Sequence, residues 1–444
     1  MPRNATNQPG KRVLFVVSSY RPAMLADMQR ARMLAWELPE LGWNVEVLTP
    51  ASTEVRQDAL EPDPNSFFAP DTPIHAAGSL ARGLFRAIGS SSPALRTLWP
   101  IAHRGSALLS TRRFNLVYFS TTTFSYFALG PFWRRKHGVP YVLDIQDPWV
   151  RDYGVSYTTT KHTFKLQVSR FLAKPLEKFA VKGAAGLVSV SPSYIEQLRQ
   201  RYPSARCLRE QRAVVIPFGA TERDLSASSQ NPFHETSTLP IVYVGAGGSI
   251  MAKSFTHIIR LMRPLALATS PSNGRVMIFL YGTDGGWQAG MPKYLEDLAA
   301  AEGAADILRE QPTRITYMAS LRKILEAAGL LILGVDDPAY MPSKLFTYSL
   351  TGKPLLVCLH RNSQANLYFE KTPGIGHLIH FGGQPKEDEE RDRENVRNFL
   401  SEVSERKSFD RRAILEPYLS LAAARRHAEC FEQWTDSMKE RQVP

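Results

Sequence analysis

The sequence predicts an α/β protein made of two doubly wound parallel-sheet domains. Its 444 residues, 43% of them hydrophobic, exceed what one core usually holds, since single cores rarely grow beyond about 250–300 residues. Short β-branched runs alternate with amphipathic helical stretches in two successive series. A polar stretch, Ser226–Ser237, separates the two series and is typical of a linker.

The first series opens with a strand, a helix and a second strand. Arg12–Val17 is an apolar, β-branched run long enough for a buried parallel strand. The helix is predicted from Leu25 to Leu41, where apolar residues recur every three or four positions, and Gly42 ends it. Val45–Thr49 forms the next strand, which gives a βαβ unit with parallel pairing. Further strands of this series are predicted at Leu116–Ser120, Tyr141–Asp144, Gly186–Ser189 and Val214–Ile216.

The second series begins with a strand at Ile241–Val244 and continues with the same alternation. Its further strands are predicted at Arg275–Tyr281, Arg314–Met318, Leu330–Leu333 and Pro354–Cys358. A charged helix at Glu387–Glu405 and a long helix at Arg411–Lys439 end the chain. We therefore predict a disordered N-terminus at residues 1–10, a first domain at 11–220, a linker at 221–238, a second domain at 239–405 and a C-terminal helical segment at 406–444 that packs back on the first domain.

The charge balance indicates an anionic partner. Lys and Arg number 54 against 42 Asp and Glu, which leaves a net charge of +12. Nucleotide phosphates, a lipid pyrophosphate, a phospholipid surface or a nucleic acid would suit this balance, and simple solubility charge is the alternative. The three cysteines are far apart and form no disulfide or zinc pattern, which favours a reducing compartment. No signal peptide is recognised and no apolar run approaches the roughly 20 residues that span a bilayer, so we expect a cytoplasmic protein, soluble or peripheral on a membrane.

A glycine-rich loop follows the first strand of the second series. It comprises Gly245, Ala246, Gly247, Gly248 and Ser249. Glycines after a strand let backbone N–H groups approach a phosphate, and Lys253 would supply a cation, although glycine turns are common after strands. A dinucleotide-binding motif is disfavoured, because the third glycine is missing and no Asp or Glu lies between Ser249 and Thr283.

A second loop follows the buried run LLILGV. A helix is predicted to begin near Ser343, with Lys344 in its first turn, and to end at Gly352. The N–H groups of such a helix start and the Lys344 charge would suit a diphosphate, and Thr347 would reach a ribose hydroxyl. An ordinary strand-to-helix connection with a solvated lysine is the alternative reading.

These segments carry a resemblance to a known family. YMPSKLFTYSLTGKPLL resembles the C-terminal signature of retaining family 4 glycosyltransferases, in particular the exopolysaccharide and lipopolysaccharide branch. RVLFVVSSYRP, NLVYFSTTTFSYFALGPFWRRKHGVPYVLDIQDPW, GLVSVSPSYIEQL, VVIPFGA, IVYVGAGGS and MIFLYGTDG resemble other segments of that family and occur in its order. The resemblance covers nearly the whole chain. It implies the GT-B fold, in which two Rossmann-like domains face an interdomain cleft, the first binding acceptor and the second nucleotide-sugar.

The resemblance also implies an activity and a set of site residues. The activity is transfer of a sugar from a UDP- or GDP-linked donor to a glycan or lipid-linked acceptor, with retention and without cofactor or metal, in surface polysaccharide synthesis. The family's two donor-site glutamates are Ala339 and Thr347 here, and its arginine after the first strand is Ala246. Asp336 or Asp337 is a candidate substitute for the first glutamate. The site residues we assign are Asp147, Lys253 and Lys344 for catalysis; Gly245, Gly247, Gly248, Ser249, Tyr317, Met318, Ser343, Leu345 and Thr347 for donor binding; and Arg21, Thr121 and Thr122 on the acceptor side.

Two tracts mix basic and apolar residues. Leu80–Phe114 and Lys161–Lys182 both suit contact with anionic lipid headgroups at the inner face of the cell membrane. Solvated faces of ordinary domain helices are the alternative, and no nucleic-acid module is recognised. The missing glutamates keep open a catalytically silent GT-B module serving as a subunit or scaffold, and a GT-B nucleotide-sugar epimerase is a further alternative.

Overall fold

The computed structural model describes residues 10–55, 57–81, 93–150, 164–228, 238–268, 274–283, 292–383 and 386–439. They fall into two compact units. The first unit takes the described residues up to 150, residues 164–216 and residues 420–439, and the second takes those between 217 and 419. The predicted disordered N-terminus lies outside the described residues except for Gly10, and so does half of the predicted linker, residues 229–237.

The first unit contains a seven-stranded parallel sheet in the order β3-β2-β1-β4-β5-β6-β7. Its strands are β1 Lys11–Val16, β2 Trp43–Pro50, β3 Ile74–Ala77, β4 Leu116–Ser120, β5 Tyr141–Ile145, β6 Gly186–Ser189 and β7 Ala213–Val215. Its helices are α1 Gln29–Glu37, α2 Pro93–Thr111, α3 Leu129–His137, α4 Phe164–Gly183, α5 Pro192–Arg201 and α6 Arg206–Arg209, joined by the last helix of the chain, α15 Ser420–Lys439.

Helices cover both faces of this sheet. Successive strand residues point to opposite faces, and β4 shows which helices lie on each. Tyr118 contacts Phe431 of α15, with ring centroids 5.2 Å apart. The next residue, Phe119, stacks on Trp133 of α3 at 5.8 Å. Both β4 rings are fully buried, so α15 and α3 cover opposite faces of the sheet.

The second unit contains a six-stranded parallel sheet in the order β10-β9-β8-β11-β12-β13. Its strands are β8 Thr238–Val244, β9 Arg275–Tyr281, β10 Leu308–Gln311, β11 Gly329–Leu333, β12 Leu355–His360 and β13 His377–Phe381. Its helices are α7 Glu222–Ser228, α8 Ala252–Ala268, α9 Tyr294–Ala301, α10 Tyr317–Glu326, α11 Leu345–Leu350, α12 Asn366–Lys371, α13 Lys386–Ser404 and α14 Arg412–Leu415. Side chains from β8, β9, β11, α8 and α13 form one continuous buried core.

The two doubly wound parallel-sheet domains predicted from the sequence are confirmed. One strand prediction is wrong: Arg314–Met318 is a loop followed by the first residues of α10. The Thr316 hydroxyl accepts a hydrogen bond from Ala319 N–H at 3.2 Å, and this cap starts a helix where alternating apolar residues had indicated a strand. The sequence analysis also missed the edge strands β3, β10 and β13.

The C-terminal region differs from the single long helix predicted at Arg411–Lys439. The structure has the short α14, a turn of 3₁₀ helix at Glu416–Tyr418, and then α15. Pro417 has no backbone N–H to continue an α-helix, and Leu419 is extended with φ −78° and ψ 159°. In the part of the chain that the structure describes, no helix combines the length and apolar character required to cross a membrane.

Candidate active site

Two loops of the second unit meet at the carboxyl ends of neighbouring strands. β8 and β11 pair in parallel, so the loops that leave them lie side by side. The Ser254 hydroxyl, in the first turn of α8, donates to Gly334 O at 2.6 Å and joins the two loops. Parallel sheets bind ligands at this edge, which makes the loop pair a candidate site.

Lys344 lies against the glycine loop. A Cβ added at Gly245 would lie 2.5 Å from Lys344 Nζ and 2.9 Å from its Cε, so the end of the lysine side chain packs directly on this glycine. Gly245 also has φ +137°, a conformation that other residues rarely adopt. The ammonium is 5.9 Å from the Tyr243 ring centroid, within the range of a cation–π contact. The glycine and the lysine therefore form one packed unit.

Lys344 is a cation with no matching carboxylate in the part of the chain that the structure describes. Among the described residues, no carboxylate lies within 4.0 Å of its ammonium. Burial lowers the pKa of Lys344 to about 8, because desolvation disfavours the charged form. A bound anion would supply the missing charge and raise this pKa again.

Two tyrosines hold the glycine loop in place. Tyr348, four residues after Lys344 and so on the same side of α11, accepts a hydrogen bond from Val244 N–H at 3.2 Å and donates to Val244 O at 3.3 Å. The Tyr243 hydroxyl donates to Ala246 O. Burial raises the pKa of Tyr243 well above its usual value, so both phenols stay protonated donors. The start of the loop is thus fixed beside Lys344.

The amides of the glycine loop are not all available to a ligand. Gly245 N–H donates to Tyr281 O at 2.9 Å, and Gly247 N–H donates to Thr283 O at 2.7 Å. The N–H groups of Ala246, Gly248 and Ser249 are those that could face an anion. Ser249 lies in a single turn of 3₁₀ helix, Gly248–Met251, that leads into α8.

The sequence analysis missed Glu310, whose carboxylate binds Thr283 beside the glycine loop. The Thr283 hydroxyl donates to the Glu310 carboxylate, which also accepts the N–H groups of Leu295 at 2.8 Å and Glu296 at 2.9 Å. A Cβ added at Gly247 would lie 2.9 Å from the Cβ of Thr283. Glu310 lies in β10, an edge strand absent from the sequence prediction, so no signal identified it.

Lys253 carries its own counterion. Its ammonium is 2.5 Å from Asp336 Oδ2, and both side chains are solvent-exposed, at 67% and 43%. His360 Nε2 is 3.9 Å from the other oxygen of Asp336. Asp337 is held differently, because its carboxylate accepts the N–H of Ala339 at 2.8 Å. Both aspartates considered as substitutes for the missing glutamate therefore already have partners, Asp336 in other elements and Asp337 within its own loop.

The helix that carries Lys344 is shorter than predicted. α11 spans Leu345–Leu350, with Lys344 as its N-terminal flanking residue, instead of beginning near Ser343. Ser343 is exposed, Thr347 is half-buried and Leu345 is 1% exposed. Leu345 lines a small apolar pocket with Phe218, Met341 and Phe346, among others.

Tyr317 and Met318 occupy the first turn of α10. The Tyr317 hydroxyl donates to Asp224 Oδ2 at 2.7 Å. Asp224 is buried in α7, a helix that forms inside the predicted linker.

The predicted acceptor-side residues lie in loops that follow the carboxyl ends of strands in the first unit. Thr121 is fully buried, and its hydroxyl accepts the N–H of Thr123 at 2.9 Å. The Thr122 hydroxyl donates to Asp27 Oδ2 at 3.2 Å. Arg21 donates to Asn65 Oδ1. Among these three residues, Thr122 is half-buried and has its hydroxyl bound to the Asp27 carboxylate.

Asp144, at the end of β5, anchors a buried network instead of facing a ligand. Its Oδ2 accepts from Ser120 Oγ at 2.8 Å and from Gln146 Nε2 at 2.9 Å, and lies 3.3 Å from Arg30 Nε. Arg30 of α1 donates to Ile216 O at 2.7 Å. Asp147 is half-buried in the loop that follows β5. Asp27 and Arg30 were both missed, because neither belongs to a motif.

Comparison with known proteins agrees with the fold. Residues 28–219 match the family model described as a glycosyl transferase 4-like domain. No curated protein matches the sequence. Within the described chain there is also no group of three or more His, Cys, Asp or Glu side chains arranged to hold a metal ion.

Solved structures with the same architecture share little sequence with this chain. HepE from Anabaena, in complex with UDP and glucose, superposes with a TM-score of 0.57 at 12% identity, over 95% of this chain and 100% of that one. WaaG, a glycosyltransferase involved in lipopolysaccharide biosynthesis, gives 0.53 at 15% identity, over 97% and 100%. A UDP-N-acetylglucosamine 2-epimerase gives 0.50 at 14% identity, over 94% of each chain. Residues 28–219 thus resemble a glycosyl transferase 4-like domain, and the chain has the GT-B fold.

Proposed function

We propose that this protein is a glycosyltransferase that moves a sugar from a UDP- or GDP-linked donor to a glycan or lipid-linked acceptor, with retention, in surface polysaccharide synthesis. The observation that carries the proposal is the half-buried Lys344, whose ammonium packs on Gly245 with no carboxylate partner among the described residues. A diphosphate is the group that such a site would bind best, because it offers several negative oxygens to one desolvated cation.

In the proposed reaction the residues act by electrostatics. The bond from the anomeric carbon to the donor diphosphate breaks while the acceptor oxygen forms the new bond to that carbon. The acceptor hydroxyl proton passes to a diphosphate oxygen, so no protein base is required. Lys344 stabilises the charge that develops on the leaving diphosphate, assisted by the N–H groups of Gly248 and Ser249 and by Lys253. Thr347, half-buried on α11, is our candidate contact for the donor ribose.

Several other parts of the proposal have separate support. Retention and the polysaccharide role rest on the resemblance of the Tyr340–Pro354 segment to retaining family members. A UDP-linked donor is supported by the UDP complex of HepE, which has the same fold. Asp147 and Thr122, near the strand edge of the first unit, are our candidate contacts for the acceptor, with Arg21 and Thr121 beside them in the sequence-based assignment.

The test uses the full chain and two lysine variants. Lys344→Met keeps an unbranched side chain one atom shorter and removes the charge. Lys323→Met is the matched control, because Lys323 also sits 5.9 Å from a tyrosine ring in the second unit but pairs with Glu326. Calorimetry with UDP and GDP measures binding, and transfer of labelled sugar from UDP- and GDP-sugars measures turnover. We expect Lys344→Met to lose nucleotide binding and to lose turnover by roughly 10²–10³-fold, the size expected for one electrostatic contact to the transition state.

Three outcomes would overturn the proposal. Near-normal turnover in Lys344→Met would remove this site from the reaction. Failure of the unaltered chain to bind either nucleotide would indicate a catalytically silent module. Conversion of the donor sugar in the absence of any acceptor would indicate an epimerase.

A further inference from the structure

Three helices of the first unit form one outer layer on the same face of its sheet. α3 lies between the other two: Trp133 Nε1 donates to Ala102 O of α2 at 3.3 Å, and Arg134 donates to Gly183 O of α4 at 2.6 Å. α4 is fixed to the sheet by the Tyr141 hydroxyl, which donates to Ala180 O at 2.6 Å. We call α2, α3 and α4 the three-helix layer.

The three-helix layer exposes large apolar side chains. Among the described residues, every exposed Phe or Trp lies on it: Trp99 at 61%, Phe132 at 49%, Phe171 at 80% and Phe179 at 53%. Leu95 and Leu172 add 45% and 48%. Buried partners such as Trp133 and Ala180 show that these helices also have a packed inner side, so the exposed residues are not core side chains displaced by poor packing. Clusters of exposed aromatic residues on one face mark an interaction surface.

The charge of the same layer has one sign. α2 and α3 contain no Asp or Glu, and the single acid of α4, Glu177, is 3% exposed and bound by Arg201 at 3.1 Å. The exposed basic side chains on the layer are Arg104, Arg135, Lys136, Lys174, Lys178 and Lys182.

The distribution of charge is uneven between the units, which argues against a general solubility role for these lysines and arginines. α13 of the second unit alone contains seven Asp and Glu residues against four Lys and Arg. The net positive charge is therefore concentrated where the aromatic residues are exposed. Aromatic rings with basic residues around them and no exposed carboxylate complement the interface of an anionic bilayer, where rings enter the headgroup region and cations pair with phosphates.

We propose that the three-helix layer docks the protein on an anionic membrane surface. The aromatic rings of Trp99, Phe132, Phe171 and Phe179 enter the headgroup region, and the lysines and arginines around them bind lipid phosphates. The proposal does not depend on the identity of the donor or on the Lys344 site, since it concerns a different unit of the chain.

Vesicle co-sedimentation of the full chain tests this docking. Vesicles contain phosphatidylcholine alone or phosphatidylcholine with phosphatidylglycerol, and no nucleotide is added. Two double variants remove the two components separately: Phe171→Ser with Phe179→Ser, and Lys174→Glu with Lys178→Glu. The control is Tyr294→Ser with Leu367→Ser, which removes two exposed apolar residues, 42% and 40% exposed, from the second unit.

We expect the unaltered chain to bind the mixed vesicles and to bind vesicles of pure phosphatidylcholine only weakly. Its binding to the mixed vesicles should weaken as salt is added. Each layer variant should bind the mixed vesicles at least tenfold more weakly, while the control variant binds normally and all melt like the unaltered chain. Equal binding by the layer variants and the unaltered chain would overturn the proposal. So would a dimer, seen by light scattering, that the phenylalanine variant dissociates, because a second copy would then cover the layer.

Discussion

Arg30 in the first unit and Lys344 in the second both place a cation near the carboxyl ends of parallel strands, but their surroundings differ. Arg30 faces the buried Asp144 carboxylate at 3.3 Å and donates to a backbone carbonyl. Lys344 faces a glycine and a tyrosine ring. The first arrangement compensates its charge within the protein, and the second leaves it uncompensated among the described residues.

The difference indicates what each cation is for. A compensated pair rigidifies the sheet edge and gains little from a ligand. An uncompensated, desolvated ammonium costs folding free energy, and a bound anion recovers that cost. Function and stability should therefore respond in the same direction to loss of Arg30 and in opposite directions to loss of Lys344.

The largest expected effect is on the first unit. Arg30→Met should lower the free energy of unfolding by about 3–5 kcal/mol, because it leaves the fully buried Asp144 carboxylate without its cation. Urea unfolding measures the loss. The double variant Arg30→Met with Asp144→Asn should recover part of it, since the unpaired charge is then gone. A loss below about 1 kcal/mol for the single variant would show that the Arg30–Asp144 pair does not stabilise the first unit.

Lys344→Met should act in the opposite direction and raise the free energy of unfolding near pH 7, by roughly 1–3 kcal/mol. The pKa of Lys344 is about 8 when folded and near its ordinary 10.5 when unfolded, so between these values the unfolded chain binds more protons. The stability of the unaltered chain should therefore rise with pH across that window, by up to about 1.4 kcal/mol per pH unit, relative to the variant. Urea unfolding at several pH values measures both effects. A stability difference that is negative at pH 7 or flat with pH would contradict an uncompensated Lys344.

Both domains could be predicted from sequence because buried parallel strands are continuous apolar runs. β4 and β11 are buried at every residue, and the runs Leu116–Ser120 and Leu330–Leu333 identified them. Edge strands lack that signal: β10 reads LREQ, with alternate residues exposed. The Arg314–Met318 error arose because capping by Thr316 overrides a short β-like pattern.

The candidate site was predictable only in its parts. Lys344 was assigned from its place after a buried strand, but its contact with Gly245 depends on the pairing of β8 with β11. The sequence analysis also treated Lys253 as a cation available to the donor phosphates, whereas the structure pairs it with Asp336. Contacts between loops that are distant in the chain require the three-dimensional register, and composition or spacing contains no record of it.

The smallest expected effect concerns that Lys253–Asp336 pair. Because both side chains are exposed, Asp336→Asn should change the free energy of unfolding by less than about 1 kcal/mol. It should also tighten UDP or GDP binding by a few-fold, about 0.5–1 kcal/mol, since it frees the Lys253 ammonium and removes a negative charge beside the diphosphate. Asp306→Asn is the matched control, because Asp306 forms a similarly exposed pair with Arg275 in the same unit. Weaker nucleotide binding in Asp336→Asn, measured by calorimetry, would instead mean that Asp336 contacts the donor directly. Asp336 would then replace the family's glutamate, whose position Ala339 occupies.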